Sequence, residues 1–233
     1  MQISAVKAFS DNYIWVMEKD GQAVVVDPGE AKGVLDHIRN KDLQLAAILL
    51  THEHSDHVGG VKEVLEAYPE TPVYGPVETA ELASQVVAEG DRFSLLGEVF
   101  TVMKTAGHSK EHVSFLGEGV LFCGDALFSG GCGRVFTGDY EAQFEALQQF
   151  KSLPEEVTVY AGHEYTQTNL RFAHGERPED SLIEEALKQV SDKREQGIPT
   201  LPSTIGKEKQ INLFLQAETV EAFKDLRDKR DHF

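Results

Sequence analysis

Four side chains that commonly bind metal ions occur within six residues of this sequence. The segment from Thr51 to His57 reads Thr-His-Glu-His-Ser-Asp-His. Imidazoles placed this close together repel one another when protonated and leave ring nitrogens unsatisfied when buried. A bound cation removes both problems, because neutral imidazole and carboxylate are good ligands for divalent metals. The pattern predicts metal-assisted chemistry, and a plain polar surface loop is the weaker interpretation.

The residues before this segment indicate how it is positioned. Residues 48–50 form an apolar, branched run typical of a buried strand, and α/β folds place their sites at the carboxyl ends of such strands. In an extended chain His52 and His54 can point the same way and bind one ion. Asp56 and His57 follow a bend, so we expect them to serve a second ion.

Three further ligand-type side chains, His108, Asp125 and His163, follow strand-like runs later in the chain. A lone histidine in such a place is more often a core or capped residue than a ligand. Because the same pattern occurs three times in addition to the first segment, we expect these three residues to be ligands. The runs that precede them are Val99–Met103, Val120–Cys123 and Val157–Tyr160.

The number of candidate ligands favours two ions over one. Seven candidates exceed the roughly three or four protein ligands of a single catalytic zinc. Asp125 can serve both ions, because a carboxylate has two oxygens. The other six divide into His52, His54 and His108 around one ion and Asp56, His57 and His163 around the other.

The sequence resembles the metallo-β-lactamase superfamily, whose signature H-x-H-x-D-H stands here at residues 52–57. Within that superfamily it is similar to the glyoxalase II family, the hydroxyacylglutathione hydrolases. The narrower resemblance covers essentially the whole chain and rests on four segments. They are Cys123–Arg134, Gly162–Thr166, Asn169–Ala173 and Arg227–Phe233.

The resemblance implies an α/β fold, the metallo-β-lactamase αββα sandwich with a small C-terminal helical domain. We expect a dinuclear metal domain over residues 1–165 and a helical, substrate-binding domain over residues 166–233. The implied activity is metal-dependent hydrolysis of the thioester S-D-lactoylglutathione to D-lactate and glutathione, the second step of methylglyoxal detoxification. The implied cofactors are two divalent ions per chain, with zinc favoured and iron or manganese as alternatives.

The resembled family also implies roles for the ligands, since its ligand assignment falls on the seven side chains above. Two cations would lower the pKa of a shared water and polarise the thioester carbonyl. Asp56 and Asp125 are the expected catalytic carboxylates, and Asp56 would orient the attacking water or accept its proton. Because a thiolate is a good leaving group, a strong general acid is not obligatory.

Substrate binding must overcome the charge of the protein. The formal net charge of −17 would repel a glutathione thioester, which carries carboxylates. Local cations must compensate, and Arg227, Lys229 and Arg230 concentrate positive charge near the C-terminus. In the resembled family the positions of Arg227 and Arg230 hold glutathione, together with those of Arg134 and Tyr165. A solvated basic helix end is the alternative interpretation of the tail.

The chain departs from the family pattern at several positions. Residues 105–112 read Thr-Ala-Gly-His-Ser-Lys-Glu-His, so that Ala106 and Glu111 replace a usual proline and glycine beside the third histidine. The ligand is retained, but its support changes. Phe136 stands where some members have a tyrosine that contacts glutathione, so we expect it to belong to the substrate-binding residues with one hydroxyl contact missing. Gln216 replaces a common arginine, and we expect this to weaken packing of the tail.

The remaining pattern predicts alternating strands and helices, followed by helices alone. Asp27, in a turn after two strand-like runs, is expected either to support a metal ligand or to serve the turn or cap a helix. Gly59 and Gly60 permit a tight turn into a helix that begins near Val61. The other predicted elements are strands Tyr13–Met17 and Ala23–Val26, a helix reaching about Arg39, and helices Ser181–Glu195 and Glu218–Lys229.

Composition narrows the partners and the compartment. The chain has only two cysteines, so disulfides are not expected, and the contexts of Cys123 and Cys132 indicate buried thiols. The absence of a signal-like or membrane-spanning run and the thiol substrate favour the cytoplasm. The acidic composition argues against nucleic acid as a partner. We take a monomer as the default.

Three other functions remain open at this stage. One is another hydrolase of the same fold, such as a lactonase or β-lactamase. Another is the related mono-iron glutathione persulfide dioxygenase. The third is a zinc-stabilised scaffold without catalysis, which the full ligand set disfavours because structural zinc sites are usually closed around one ion.

Overall fold

Two six-stranded sheets face each other in the computed structural model, which describes the whole chain from Met1 to Phe233. In spatial order the first sheet contains β1 (Gln2–Ala8), β2 (Asn12–Lys19), β3 (Gln22–Val26), β4 (Gln44–Leu49), β5 (Val73–Gly75) and β6 (Gln85–Val86). The second contains β7 (Arg92–Leu95), β8 (Glu98–Lys104), β9 (Val113–Gly117), β10 (Val120–Gly124), β11 (Thr158–Ala161) and β12 (Ser203–Thr204).

Helices cover these sheets and form most of the C-terminal part. The first four are α1 (Ala31–Asn40), α2 (Ser55–Val58), α3 (Val61–Ala67) and α4 (Tyr140–Ser152). The rest are α5 (Thr166–Glu176), α6 (Ser181–Glu195), α7 (Ile205–Ile211), α8 (Leu213–Gln216) and α9 (Val220–Asp231), and a short 3-10 helix spans Val77–Thr79. None of the helices combines the length and the apolar character needed to cross a bilayer.

Strand β2 shows why the layers stack, because it is apolar on both faces. Tyr13, Trp15 and Met17 belong to a core of 35 buried residues to which both sheets contribute. Ile14 and Val16 point the other way, into a core of 14 buried residues that includes side chains of α1 and α3. Leu147 and Phe150 of α4 and several C-terminal residues extend the larger core. The arrangement confirms the predicted αββα sandwich with a C-terminal helical region.

Strand direction brings three of the ligand-bearing loops to one edge. Strands β10 and β11 are parallel, while β8 reaches β10 through two antiparallel pairings and therefore runs in the same direction. Their carboxyl ends consequently lie together. The loop after β4 joins this edge through the N–H of Val113, which donates to the carbonyl oxygen of Thr51 at 2.9 Å.

The C-terminal segment has a small core of its own and also enters the main core. Leu170, Ile183 and Leu213 belong to a separate cluster of seven buried residues. Phe214 and Phe223 belong to the main core, and β12 pairs antiparallel with β11 of the second sheet. The predicted division between residues 165 and 166 stays a prediction.

Local signals account for most element boundaries. The predicted helix Ser181–Glu195 is confirmed as α6, which Asp180 caps by accepting hydrogen bonds from two backbone N–H groups. The helix expected near Val61 is α3. The last helix begins two residues later than predicted, because Thr219 caps its N-terminus. Helix α2 was not predicted, because its four residues are too few to show a helical period.

Candidate metal centre and substrate cleft

The seven predicted metal ligands meet at one edge of the sandwich. The loops after β4, β8, β10 and β11 supply them, and two of the seven, Asp56 and His57, lie on α2. Helix α2 begins immediately after His54. The bend predicted from the sequence is therefore a helical turn, and the ring of His57 still lies close to that of His52, with centroids 4.2 Å apart.

Four of the histidine rings are held through the nitrogen that faces away from the centre. Each Nδ1 has a protein partner, which fixes the orientation of the ring and leaves Nε2 for the centre. His52 Nδ1 lies 2.9 Å from Thr51 Oγ1, His57 Nδ1 3.0 Å from Asp27 Oδ2, His108 Nδ1 2.9 Å from the Arg134 carbonyl oxygen, and His163 Nδ1 2.8 Å from Asp11 Oδ1.

The ligand atoms fall into the two sets predicted from the sequence. One atom each from His52, His54 and His108 lie within 4.8 Å of one another, and His108 Nε2 is 3.0 Å from His54 Nδ1. The second set contains His57 and His163, whose Nε2 atoms are 3.3 Å apart, together with Asp56. Each set has the size of one metal coordination sphere.

Asp125 lies between the two sets. Its Oδ2 is 3.4 Å from His108 Nε2 and 3.3 Å from His163 Nε2, while its Oδ1 is 3.3 Å from His57 Nε2. The side chain is buried, at the end of β10. This is the position that a carboxylate shared by two cations requires.

Two buried polar atoms at the centre test whether metal ions fit. His52 Nε2 and Asp125 Oδ1 have no hydrogen-bond partner, and such atoms are rare in folded proteins because desolvation without compensation is costly. A cation between them and the neighbouring ligands would satisfy both. The nitrogen and oxygen donors suit zinc, iron or manganese. The site therefore fits divalent metal ions.

The charge environment differs between the two sets. Burial, reinforced by neighbouring histidines, holds the pKa of His52 well below its usual range, and burial also lowers the pKa of His108. Burial acts in the same direction on His163, but Asp125, Asp56 and Asp11 outweigh it and raise its pKa to about 10. Negative charge is thus concentrated around the second set, where it can stabilise a cation.

Asp27 supports a ligand and does not form a third metal site. It lies near His52 and His57, but its oxygens already accept hydrogen bonds from the backbone N–H and Oγ1 of Thr51, at 2.8 and 2.7 Å, and from His57. The contact with His57 is the one that support of a ligand requires, and that role stays a prediction. Asp27 also forms a turn with Gly29, whereas Glu30 occupies the N-cap of α1, so the helix-cap alternative is wrong.

His112 is a buried support for the first set of ligands. Its ring stacks on that of His52, with centroids 4.8 Å apart. Its Nε2 accepts a hydrogen bond from the backbone N–H of Asp125 at 3.2 Å, and its Nδ1 contacts Thr105 Oγ1. The ring therefore joins the loops after β8 and β10.

Other contacts hold the loop that lacks the usual proline and glycine. Glu78 accepts hydrogen bonds from Ser109 Oγ and from the backbone N–H of Glu111. Thr137 Oγ1 donates to the carbonyl oxygen of Gly107 at 2.6 Å. Gly107 has a φ of 129°, and a Cβ there would overlap Gln143, so this glycine is required. The loop is held at both ends despite Ala106 and Glu111.

A cleft of about 550 Å³ extends from the metal ligands to the C-terminal helix. All five side chains predicted to bind substrate line it. They are Arg134, Phe136, Tyr165, Arg227 and Arg230. Lys229 instead pairs with Glu176 and Asp225 outside this cleft. Gln216 donates to two carbonyl groups of α7 and accepts from Arg177, so the tail is still anchored where the family arginine is missing.

Two aromatic side chains connect the halves of the cleft. The ring of Tyr165 stacks on His163, with centroids 4.7 Å apart and an angle of 8° between the planes. Phe136 is 63% exposed and places its ring edgewise against His54 and His108. Residues predicted to bind substrate are therefore in direct contact with the candidate metal ligands.

Several residues of the site were not found from the sequence. Asp11 contacts the candidate ligand His163, and Asn12 donates to Asp56 Oδ2 at 3.0 Å. Asn169 and Asp231 line the cleft among the arginines. For Asn169 and Asp231 a signal existed, since both lie in segments that carry the family resemblance. For Asp11 and Asn12 there was no local pattern.

Comparison with known proteins identifies the family. The metallo-beta-lactamase superfamily model matches residues 9–89 and 83–163, and the model described as hydroxyacylglutathione hydrolase C-terminus matches residues 164–233. A hydroxyacylglutathione hydrolase from Glaesserella parasuis serovar 5 is 50% identical, with 100% of both chains covered. The chain belongs to the hydroxyacylglutathione hydrolase family. This confirms the predicted resemblance, fold and enzyme class.

A more distant member agrees with this assignment, and two solved structures share the fold. The hydroxyacylglutathione hydrolase of Vibrio campbellii is 42% identical over 98% of this chain and 92% of its own. The structure of ETHE1 from Myxococcus xanthus has a TM-score of 0.75 at 25% identity and covers 98% of this chain and 90% of its own. The BLEG-1 B3 metallo-beta-lactamase, at 24% identity and a TM-score of 0.72 over 93% and 100% of the two chains, shares the fold. The lactonase and dioxygenase alternatives are not favoured.

Proposed function

We propose that this hydroxyacylglutathione hydrolase uses two divalent metal ions, preferably zinc, to hydrolyse S-D-lactoylglutathione to D-lactate and glutathione in methylglyoxal detoxification. One observation carries the proposal. The same cleft has metal-ligand side chains at one end, including His54 and Asp125, and three arginines at the other. A thioester with an anionic glutathione moiety needs both ends at once.

The metal ligands are proposed to be the seven side chains predicted from the sequence, with Asp125 shared. When bound, two divalent ions lower the pKa of a water molecule, polarise a carbonyl oxygen and stabilise the charge that develops on it. The chain contributes the orientation. Asp27, Asp11 and Thr51 fix the rings of three histidines. The ring of His52, one of the three, is held further by its stack on His112.

Asp56 is proposed to orient the attacking water and accept its proton. Its side chain is 38% exposed and lines the cleft, so it can reach a reacting molecule. Asn12 Nδ2 donates to Oδ2 of this carboxylate and holds it in place. A carboxylate that is held in place and open to the cleft can accept a hydrogen bond from a water molecule bound there. The departing thiolate needs no comparable proton donor.

The arginines at the other end are proposed to bind the glutathione moiety, since a guanidinium group matches both oxygens of a carboxylate. Arg230 is turned toward the cleft by Asn169, which accepts from its Nε and from one terminal nitrogen at 3.3 and 3.2 Å. Phe136 is proposed to form an apolar wall beside the reacting carbonyl, since its ring contacts two metal ligands. That wall would exclude excess water from the thioester.

The cellular setting is also part of the proposal. We place the enzyme in the cytoplasm as a monomer, without nucleic acid or membrane partners. Glutathione is an intracellular thiol, and both cysteines of the chain are free and buried. The formal charge of −17 disfavours binding to phosphate backbones.

The experiment combines turnover with metal analysis on one purified sample. We expect hydrolysis of S-D-lactoylglutathione with about two metal ions per chain, and loss of activity after chelation that zinc, iron or manganese restores to different extents. His54→Ala should lower kcat at least about a hundredfold, because losing a ligand costs more than losing its supporting partner.

A matched histidine variant controls for nonspecific effects. His37 lies on α1 and pairs with Glu18, so His37→Ala should retain both metal content and turnover. Full metal occupancy without thioester hydrolysis would exclude the proposed substrate. Hydrolysis that continues after complete chelation would exclude the metal-dependent mechanism.

A further inference from the structure

A single carboxylate lies among the arginines of the cleft. Asp231 lines the same wall as Arg134, Arg227 and Arg230, and its side chain is 21% exposed. An acidic group at the place where an anionic substrate moiety is expected would simply repel it if the carboxylate faced the ligand alone. Its contacts indicate a different role.

Asp231 binds two arginines through one oxygen. Its Oδ1 accepts from Arg227 Nε at 3.1 Å and from a terminal nitrogen of Arg227 at 2.7 Å. The same oxygen is 3.3 Å from Arg134 Nε. One carboxylate oxygen thus lies between both guanidinium groups, and its negative charge offsets their mutual repulsion.

The two arginines depend on this contact to different degrees. Arg227 is buried, donates to the carbonyl oxygen of Cys132 at 2.8 Å and lies over the ring of Phe214. Arg134 is 54% exposed, and Asp231 is its only ion-pair partner. A long, exposed side chain loses much conformational freedom when it binds a ligand, and holding it in advance reduces that cost.

The contacts also leave the right atoms free. Asp231 takes Nε of Arg134, so the two terminal nitrogens of that guanidinium remain to bind a carboxylate as a fork. We propose that Asp231 is a positioning residue for substrate binding, which fixes Arg134 beside Arg227 and thereby sets specificity for a carboxylate of the glutathione moiety. This inference rests on the proposed function.

The test compares Asp231→Asn with the unmodified enzyme on S-D-lactoylglutathione and on two esters of it, one at the glycine carboxylate and one at the γ-glutamyl carboxylate. We expect KM to rise about tenfold in the variant with kcat within about twofold, because the reacting centre is untouched. In the unmodified enzyme, esterifying the carboxylate that Arg134 binds should raise KM. In the variant, the rise in KM caused by that same ester should be several-fold smaller.

Controls separate positioning from a general structural effect. Asp225→Asn changes an exposed aspartate of the same helix that pairs only with Lys229, and its kinetics should match those of the unmodified enzyme. In an Arg134→Ala background, Asp231→Asn should raise KM much less than it does alone. An unchanged or lower KM, or equal losses on the substrate and both esters, would overturn the inference. Absence of turnover in the unmodified enzyme would instead refute the proposed function.

Discussion

The two ends of the cleft hold their side chains differently. At the metal end four histidine rings are buried, and each is held through its Nδ1 atom; they are His52, His57, His108 and His163. At the other end Arg134 is more than half exposed and pairs with one carboxylate. The difference follows from what each end must do. Metal coordination tolerates errors of only a few tenths of an ångström in ligand distance, so its ligands lie just after strands of the core. A flexible arginine at the surface can bind a carboxylate ligand, because its side chain can adjust to the position of the ligand.

Among substitutions that keep every candidate ligand, Asp27→Asn should weaken metal binding the most. Asp27 has a φ of 51°, which asparagine also tolerates, so the turn should survive. The loss of charge weakens the hold on His57 Nδ1. We expect a fall of about 10–100-fold in the affinity of the second metal ion and in kcat, with KM little changed. Metal competition with a chelator and steady-state kinetics provide the measurement.

A closely matched control is available for that change. Asp20 has the same φ of 51° in an exposed turn between β2 and β3. Asp20→Asn should leave metal affinity and kcat unaltered. If Asp27→Asn bound two metals as tightly as the unmodified enzyme, the rings would not need their supporting partners, and the contrast between the two ends would disappear.

The arginine end can be disturbed from a distance through Glu208. This buried side chain accepts hydrogen bonds from Gly130 N–H, Ser129 Oγ, Ser203 Oγ and Asn212, so it ties the glycine-rich segment to α7. In Glu208→Gln the new side-chain NH2 group would face groups that are themselves hydrogen-bond donors. The substitution should therefore lower the free energy of unfolding by about 1–3 kcal/mol. KM should rise severalfold with metal content intact, because that segment leads to Arg134.

Unfolding in denaturant, KM and metal content measured together test this expectation. Glu195→Gln, at an exposed position near the end of α6, is the control and should change none of them. Loss of metal with an unchanged KM would show that the glycine-rich segment serves the metal end instead.

The smallest effect is expected away from both ends. Burial alone would raise the pKa of Glu18, but Lys41 and His37 outweigh it and lower that pKa below its ordinary value of 4.5. The carboxylate therefore adds stability above about pH 4.5, and this is lost as the pH falls through its lowered folded-state pKa. Lys41→Ala should cost at most about 1 kcal/mol at neutral pH, since Lys41 is 40% exposed, and less once the pH has fallen through the lowered pKa of Glu18.

Chemical denaturation at several pH values measures that difference, and turnover serves as the internal reference. A cost that did not shrink at low pH would contradict the ion-pair explanation. A change in kcat or KM would mean that this remote cluster is coupled to the cleft.

The meeting of the seven candidate ligands could be predicted because each has a local signal. His108, Asp125 and His163 follow apolar runs that had to become strands, and strand direction then brings their loops together. The partners of the ligands had no such signal. Asp11 lies 152 positions from the histidine that it contacts, and nothing in the spacing of either residue marks the pair. Contacts of this kind depend on how two sheets meet, which periodicity does not encode.

The substrate end was predictable only in part for the same reason. Arg227 and Arg230 stood out as positive charges in an acidic chain, and family resemblance supplied Arg134 and Tyr165. That Asp231 orients Arg134 depends on a helix crossing a loop almost a hundred residues earlier in the chain. Glu208 was equally hidden, since a buried glutamate in a short helix reads as a surface residue until its donors are known.

The entry of Phe214 and Phe223 into the main core, together with the pairing of β12 with β11, has a thermodynamic consequence. A segment that shares a core with the sheets cannot unfold without exposing their apolar surface, so opening it costs more free energy than opening an independent segment would. Ligands that bind only the folded state add their binding free energy to that cost. Metal ions at one end of the cleft therefore also protect, by linkage alone, the side chains at the other.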